Sequence, residues 1–341
     1  MSVVIVTFNS RAAVELSLPP LLAELRPDDE LIVVDNASAD GTRAAVRLLA
    51  PASILVENPG NDGFAAACNQ GVERATGELV LLLNPDASVA AGFAEAIRRP
   101  LTERPDWAAW MGLVTMDGGR RVNTAGGVVH YTGIAWAGAS GRPVAAVDPG
   151  PHEVGFVSGA CLAVPREVWR REGGFPAAFF MYCEDVDFSL RLRLAGASIG
   201  VEPRARVDHD YAFMKGHLKW RLLERNRWAT LLRTYPAPVL ALTAPALLAA
   251  ELAVLAAALA GGWAPAKVGA MSDTARALPR LLRERRSIQA ARRVSPAVFA
   301  EGLTAELSSP YLGRAATVRL LRWALGAYWM VVVGVLRRLA P

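Results

Sequence analysis

Cysteine is scarce: Cys68, Cys161 and Cys183 are the only three in 341 residues. Three scattered thiols cannot build a disulfide framework or a zinc site, and they fit a reducing compartment. Lysine is equally scarce, with only Lys215, Lys219 and Lys267 among the 37 basic residues, a bias that reflects genome composition more than phosphate recognition. No basic segment precedes the apolar run Val3–Val6, so no signal peptide is expected. No G-x-G-x-x-G follows that run, and no Walker loop or G-x-S-x-G elbow occurs, so the signatures of dinucleotide, P-loop and α/β-hydrolase enzymes are missing. No internal repeat, low-complexity segment or recognised nucleic-acid motif is present, and no nucleic-acid partner is expected. Hydrophobic residues at 52% and charged ones at 20% exclude a disordered or collagenous chain.

Charge is present but unevenly placed. Residues 1–203 hold 16 Lys and Arg against 24 Asp and Glu, a net of −8. Residues 204–233 hold 8 against 3, net +5, and residues 267–341 hold 13 against 4, net +9. Between them, residues 234–266 carry one charge, Glu251. An acidic first part and a basic, apolar second part suggest a soluble catalytic domain joined to a membrane-facing tail.

The first 86 residues alternate strand and helix. Val3–Phe8 reads as a buried strand, and Leu31–Val34, Ile54–Val56 and Leu79–Leu83 as three further strands. Helices are expected over Arg11–Leu25, from Asp40 to about Leu49, and from Asn61 or Asp62 to the stop at Gly77. Such alternation predicts a parallel sheet with right-handed crossovers. Residues 87–155 are less regular, with strand-like pieces near Trp110–Thr115 and Gly127–Tyr131. A strand over Phe156–Val164, a short helix from Pro165 to about Arg171, a helix over Asp185–Leu194 and a strand over Ser198–Val201 follow. Trp169 and Phe175 read as core, and Cys183 as packing.

Ligands of open α/β sheets bind at the carboxyl ends of the strands. Four polar clusters fall there: Thr7-Phe8-Asn9, Asp35-Asn36-Ala37-Ser38, Asn84-Pro85-Asp86 and Glu184-Asp185. An Asp ending the second strand suits a ribose hydroxyl or a base N–H, or is an ordinary turn residue. A lone Asp after the fourth strand suits Mg²⁺ or Mn²⁺ bridging phosphate oxygens, ions that need only one or two protein carboxylates. A ligandless membrane scaffold would leave the polar strand ends unexplained.

Four ordered blocks carry a family resemblance: Val3–Ser10, Val33–Thr42, Asn58–Asn69 with Leu81–Asp86, and Phe180–Arg191. Together they resemble family 2 glycosyltransferases, in particular the rhamnosyltransferase-like branch, over roughly residues 2–235. The resemblance implies an α/β fold of the GT-A type, Rossmann-like with a mostly parallel sheet, a nucleotide-sugar donor and inversion at the anomeric carbon. It assigns Thr7, Asn9, Asp35, Asn61, Gly63 and Asn84 to the donor, with Asp35 holding the nucleotide. The family's D-x-D appears here as N-x-D, so Asp86 supplies the one carboxylate to Mg²⁺ or Mn²⁺. His209 is the second metal candidate, or else a hydrogen-bonded core histidine. Asp185 carries over as the catalytic base, and Glu184 either orients it or binds acceptor. These roles suit the chemistry: a sugar hydroxyl needs a carboxylate to take its proton, and charge on the departing diphosphate needs a cation. dTDP-rhamnose is the expected donor, with a UDP-hexose or UDP-galactofuranose as the alternative. An inactive nucleotide-sugar-binding partner would have lost Asp86 or Asp185. A nucleotidyltransferase would open with a Gly-rich basic loop that Thr7–Arg11 does not provide.

The expected organisation is a transferase domain over 1–235 and a helical, membrane-associated region over 236–341. Ala237–Ala264 is long enough to cross a bilayer, but its alanines insert almost neutrally and Glu251 sits near its centre. Trp323–Leu336 is uncharged for 14 residues and flanked by Arg319, Arg322, Arg337 and Arg338. At about 1.5 Å per residue it is too short to span, and it has the makeup of an interfacial helix. Arg276–Arg293 adds seven arginines to one glutamate. The expected location is the anionic cytoplasmic face of the membrane, next to a lipid-linked or growing glycan acceptor.

Overall fold

The computed structural model describes residues 1–210, 216–308 and 318–339. They form two compact units, one from 1–127, 137–189 and the described part of 197–212, the other from the remaining segments.

The first unit is built on a sheet. Its opening elements are β1 (Ser2–Thr7), α1 (Arg11–Glu24), β2 (Glu30–Asp35), α2 (Thr42–Leu49), β3 (Ile54–Glu57), α3 (Phe64–Arg74) and β4 (Leu79–Leu83). β1 pairs in parallel with β2 and β4, with Val3 opposite both Leu31 and Leu81, and β2 pairs in parallel with β3. Every residue of β1 and β4 is buried. That is why they read as unbroken apolar runs: a parallel strand is covered on both faces. α3 approaches β1 closely at Gly71, where a Cβ would lie 2.3 Å from Val4 Cγ1.

The less regular middle contributes β5 (Ser88–Val89), α4 (Phe93–Ala96), α5 (Pro100–Glu103), β6 (Trp107–Met116), β7 (Arg121–Thr124), β8 (Gly127–Val129), β9 (Ala135–Ala137) and β10 (His152–Glu153). Then come β11 (Cys161–Pro165), α6 (Arg166–Glu172), α7 (Glu184–Leu194) and β12 (Ser198–Asp208). The sheet runs β10-β12-β6-β11-β4-β1-β2-β3, with β5 on β12 and β7 on β6, while β8 and β9 form a hairpin. β11 is antiparallel to both neighbours, and β12 returns parallel to β6.

Two strands differ from the sequence expectation. β11 starts at Cys161, because Ser158–Ala160 form a turn in which the Cys161 amide bonds the Ser158 carbonyl. β12 runs on to Asp208 after a register irregularity between Glu202 and Arg206, and so carries His209 past its end. The caps also sit elsewhere. Gly41 and Gly63, both at positive φ, occupy the N-cap positions of α2 and α3, and neither makes a side-chain cap bond. Asp40 instead ties two turns together, accepting from the Arg11 and Thr42 amides at 3.0 Å each.

The second unit includes most of the β8–β9 hairpin and is otherwise helical. It holds α8 (His217–Thr234), α9 (Ala237–Ala260), α10 (Ala264–Ala290), α11 (Pro296–Glu301) and α12 (Arg319–Leu339). Tyr131 stacks on Trp329 at 4.8 Å, and Trp220 on Trp263 at 4.7 Å. Glu251, the one charge in the apolar run, belongs to a four-member ionic cluster with Glu224 and Arg227 of α8 and Lys267 of α10. Lys267 Nζ lies 2.6 Å from Glu251, Arg227 lies 2.9 Å from Glu224, and the Arg227–Glu251 and Lys267–Glu224 contacts close the ring. Burial alone would raise the Glu224 carboxyl, but Arg227 and Lys267 reverse that and hold it below the usual range.

Candidate active site

The carboxyl ends of β1 and β2 meet at Thr7 and Asp35, both fully buried. Thr7 Oγ1 donates to Asp35 Oδ1 at 2.9 Å, and the Ser38 amide donates to Oδ2 at 2.9 Å. Arg43 Nε lies 3.5 Å from the same Oδ2. Asn9, at φ 50°, accepts from the Ala39 amide through Oδ1 at 2.9 Å, while its own amide bonds Ser38 Oγ at 2.9 Å. Asp35 is thus a fully engaged turn-holder as well as a candidate for the nucleotide, and Ser38 shares its turn.

Between β3 and α3, Asn61 Oδ1 accepts from the Gly63 amide at 2.9 Å, and Asn36 Nδ2 donates to the Gly63 carbonyl at 3.3 Å. Gly63 sits at φ +86°, and a Cβ there would fall 2.5 Å from the Phe180 ring. The Ala65 amide bonds the Phe180 carbonyl at 3.0 Å, which ties this loop to the segment ahead of α7. That segment is wound the unfavourable way. Phe180, Tyr182 and Cys183 have φ of 66°, 70° and 62°, a conformation that non-glycine residues rarely adopt and that gathers at functional sites.

The left-handed run delivers Glu184 and Asp185 into the first turn of α7. Asp185 Oδ2 accepts from the Gly159 amide at 3.1 Å, and Oδ1 from the Val186 amide at 2.8 Å. Desolvation raises the Asp185 carboxyl above the ordinary aspartate value, against the pull of those two amides. Glu184 is more deeply buried, and its Oε2 has no hydrogen-bond partner among the described residues. Burial first, and the neighbouring Asp185 second, push its carboxyl well up. Both carboxyls are therefore pushed toward their protonated forms, Asp185 by burial and Glu184 by burial and by Asp185 beside it.

The next residue of the Gly159 loop connects the pair to β4, since the Asn84 amide bonds the Ala160 carbonyl at 3.0 Å. Past Asn84, Asp86 Oδ1 lies 3.0 Å from His209 Nε2, and Asn84 Nδ2 lies 3.4 Å from the same nitrogen. His209 is anchored through its backbone to Thr115 and Asn123. Burial would raise Asp86, and the hydrogen bond from His209 more than offsets it, leaving the carboxyl below its ordinary value. Asp86 and His209, 123 residues apart, therefore converge on one point as a carboxylate oxygen and an imidazole nitrogen. Such a donor pair suits Mg²⁺ or Mn²⁺, the latter tolerating nitrogen better. Among the described residues no group of three or more His, Cys, Asp or Glu side chains gathers around a point.

Every sequence-derived candidate lies on this rim of strand ends and the loops joined to it. What residue patterns did not reveal is the Gly159–Ala160 turn that holds Asp185 and Asn84, the Ser38 contacts, and the left-handed run before Glu184. Gly159 could have been suspected only from its place in Ser158-Gly159-Ala160 ahead of a strand.

Two family descriptions match the chain: Glycosyl transferase family 2 over residues 2–141, and Glycosyl transferase family group 2 over residues 79–268. The N-acetylglucosaminyl-diphospho-decaprenol L-rhamnosyltransferase of Mycobacterium tuberculosis is 30% identical over 240 residues, covering 63% of this chain and 78% of that protein. Among solved structures, GalNAc-T7 with UDP, GalNAc and Mn²⁺ has a TM-score of 0.57 at 15% identity, over 69% of this chain and 48% of that one. Staphylococcus aureus TarS has a TM-score of 0.54 at 16% identity, over 94% of this chain and 53% of that one. At these identities the structures speak for the fold, which is of the GT-A kind. Taken with a family match across more than half of its length, the sheet and its polar rim place this chain in the family 2 glycosyltransferases.

Proposed function

We propose that the chain transfers one sugar, with inversion, from a nucleotide-sugar donor to a hydroxyl of a lipid-linked or growing surface glycan at the cytoplasmic face of the membrane. dTDP-rhamnose is the donor in this reading. It is supported by the Mycobacterium tuberculosis relative, which is named as a rhamnosyltransferase acting on N-acetylglucosaminyl-diphospho-decaprenol. Residues 1–235 carry the transfer, and residues 236–341 keep the enzyme beside its acceptor. The observation that carries the proposal is the joint placement of two kinds of group. The turn that holds the raised carboxyl, Asp185, through Gly159 also holds, through Ala160, the amide of Asn84, which lies beside the Asp86–His209 pair.

Asp185 takes the proton of the attacking hydroxyl, and the amides of Gly159 and Val186 fix its oxygens for that step. Its raised pKa makes it a better proton acceptor than an ordinary aspartate. Burial favours the protonated form of Glu184, which orients Asp185 beside it. Asp86 and His209 hold a divalent ion, Mg²⁺ or Mn²⁺. When bound, that ion neutralises charge building on the leaving diphosphate. Thr7, Asn9 and Asp35 receive the nucleotide, and Asn61, Gly63 and Asn84 line the diphosphate and sugar. Inversion in one displacement asks for one base and no nucleophilic carboxylate on the other face, which suits a single carboxyl in the Asp185 position.

Calorimetric titration with dTDP-rhamnose, UDP-glucose, UDP-galactofuranose and GDP-mannose, each with and without Mn²⁺, tests the reading. The expected result is metal-dependent binding with dTDP-rhamnose tightest. A metal-independent result, or no preference among the four, would contradict it.

A further inference from the structure

The helical unit wears its apolar residues outside. On α9, Val239, Thr243 and Leu247 are buried at a spacing of four, and Glu251, Val254 and Ala258 continue that face. The opposite positions, Ala244, Leu248, Leu252, Ala256 and Leu259, are exposed, with the three leucines 64%, 62% and 66% accessible. A helix lying on a water-soluble domain carries polar residues on its outer face, and this one carries none. α12 repeats the pattern. Leu320, Trp323, Met330 and Val331 are exposed between Arg319 and Arg322 at one end and Arg337 and Arg338 at the other.

By length and composition α9, like the 21-residue α12, passes for a membrane span. Glu251 argues otherwise. It is held by Arg227 of α8 and Lys267 of α10, so α9 cannot cross hydrocarbon without stripping those contacts or dragging its neighbours in. α8 carries six charged residues and α10 eight, and neither can enter a bilayer core. Exposed Arg276, Arg283 and Arg286 on α10, with the arginines flanking α12, supply the positive charge that anionic headgroups attract.

We infer that α9 lies in the plane of an anionic bilayer surface, with its Leu248–Leu252–Leu259 face in the acyl boundary and its Glu251 face locked to α8 and α10. This rests on the membrane location proposed above and adds the orientation, the inserted residues and the reason the helix does not cross.

Topology gives the first test. Cysteines placed singly at exposed Ala237 and Gly262, the two ends of α9, are probed with a membrane-impermeant maleimide in intact cells and in inverted vesicles. Both ends should react in the same preparation, above the unsubstituted background. Reaction of the two ends from opposite sides would overturn the inference. The second test is flotation of the purified full chain with vesicles of 30% phosphatidylglycerol in phosphatidylcholine. L248E/L252E/L259E should lower partitioning at least tenfold, while donor affinity by calorimetry stays as in the unsubstituted protein. Unchanged partitioning would show that this face is not the contact. Absence of donor binding by the unsubstituted chain would instead count against the glycosyl-transfer reading and leave the docking result standing.

Discussion

The two units of this protein distribute charge in opposite senses. In the sheet unit apolar side chains are inside and the candidate polar groups gather at strand ends and the start of α7: Asp35, Asp86, Asp185 and His209. In the helical unit one ionic ring, Glu224–Arg227–Glu251–Lys267, lies inside, while leucines, a tryptophan and a methionine face out among exposed arginines. The first arrangement suits a domain surrounded by water with a polar ligand at its rim. The second suits a body that meets an apolar medium on one side. Burial is thus a statement about which solvent a surface faces, and hydrophobicity alone does not mark a core.

The comparison can be broken at either unit. The largest effect is expected at the rim. Asp185→Asn removes the proposed proton acceptor but keeps size and one of the two amide hydrogen bonds that Asp185 accepts, so transfer should fall by about 10³-fold or more while donor affinity stays within a factor of about two. Next come the metal-side residues. Asp86→Ala and His209→Ala should each weaken donor binding about 10- to 100-fold when Mn²⁺ is present and barely at all in its absence, read by calorimetry. In the helical unit, Glu251→Ala leaves Lys267 buried with one carboxylate instead of two. Removing one member of a buried ion group costs about 3 kcal/mol, which denaturant titration would read as an earlier transition. Donor affinity should not follow it.

The smallest effect is one of pH. Glu184 has a raised folded-state pKa, so the folded chain binds its proton more tightly than the unfolded chain. The stabilising protonation is present at acid pH and lost as pH rises through the folded value, so Glu184 costs stability at alkaline pH relative to acid. Glu184→Gln should therefore melt about 2–4 °C higher than the unsubstituted protein at pH 8 and no higher near pH 4. Because Asp185 is raised as well, the acid limb of the transfer rate should lie above the pH at which an ordinary aspartate titrates. The rate should fall as pH drops through it.

Much of the rim was legible in the residues. Val3–Val6 and Leu79–Leu83 are apolar without interruption because their strands are covered on both faces, and the first polar residue after each marks where a ligand can reach the sheet. The Asp86–His209 convergence was legible only as a pairing of types, since it depends on β12 running to Asp208 through an irregular stretch around Pro203. The positive φ angles at Phe180, Tyr182 and Cys183 leave no residue signature, because no glycine stands there to announce them. Nor could Glu251 be read correctly from its own segment. Its partners lie 24 residues before it and 16 after, and without them it is only an expensive charge in an apolar helix.

The account rests most heavily on Asp185 as the group that accepts the hydroxyl proton during transfer from dTDP-rhamnose. The direct test is a single-turnover assay with labelled dTDP-rhamnose, Mn²⁺ and a polyprenyl-diphosphate-linked amino sugar in vesicles, comparing the unsubstituted chain with Asp185→Asn. Labelled lipid product should form with the first and not with the second, although both bind donor. Equal rates from the two proteins would contradict the account.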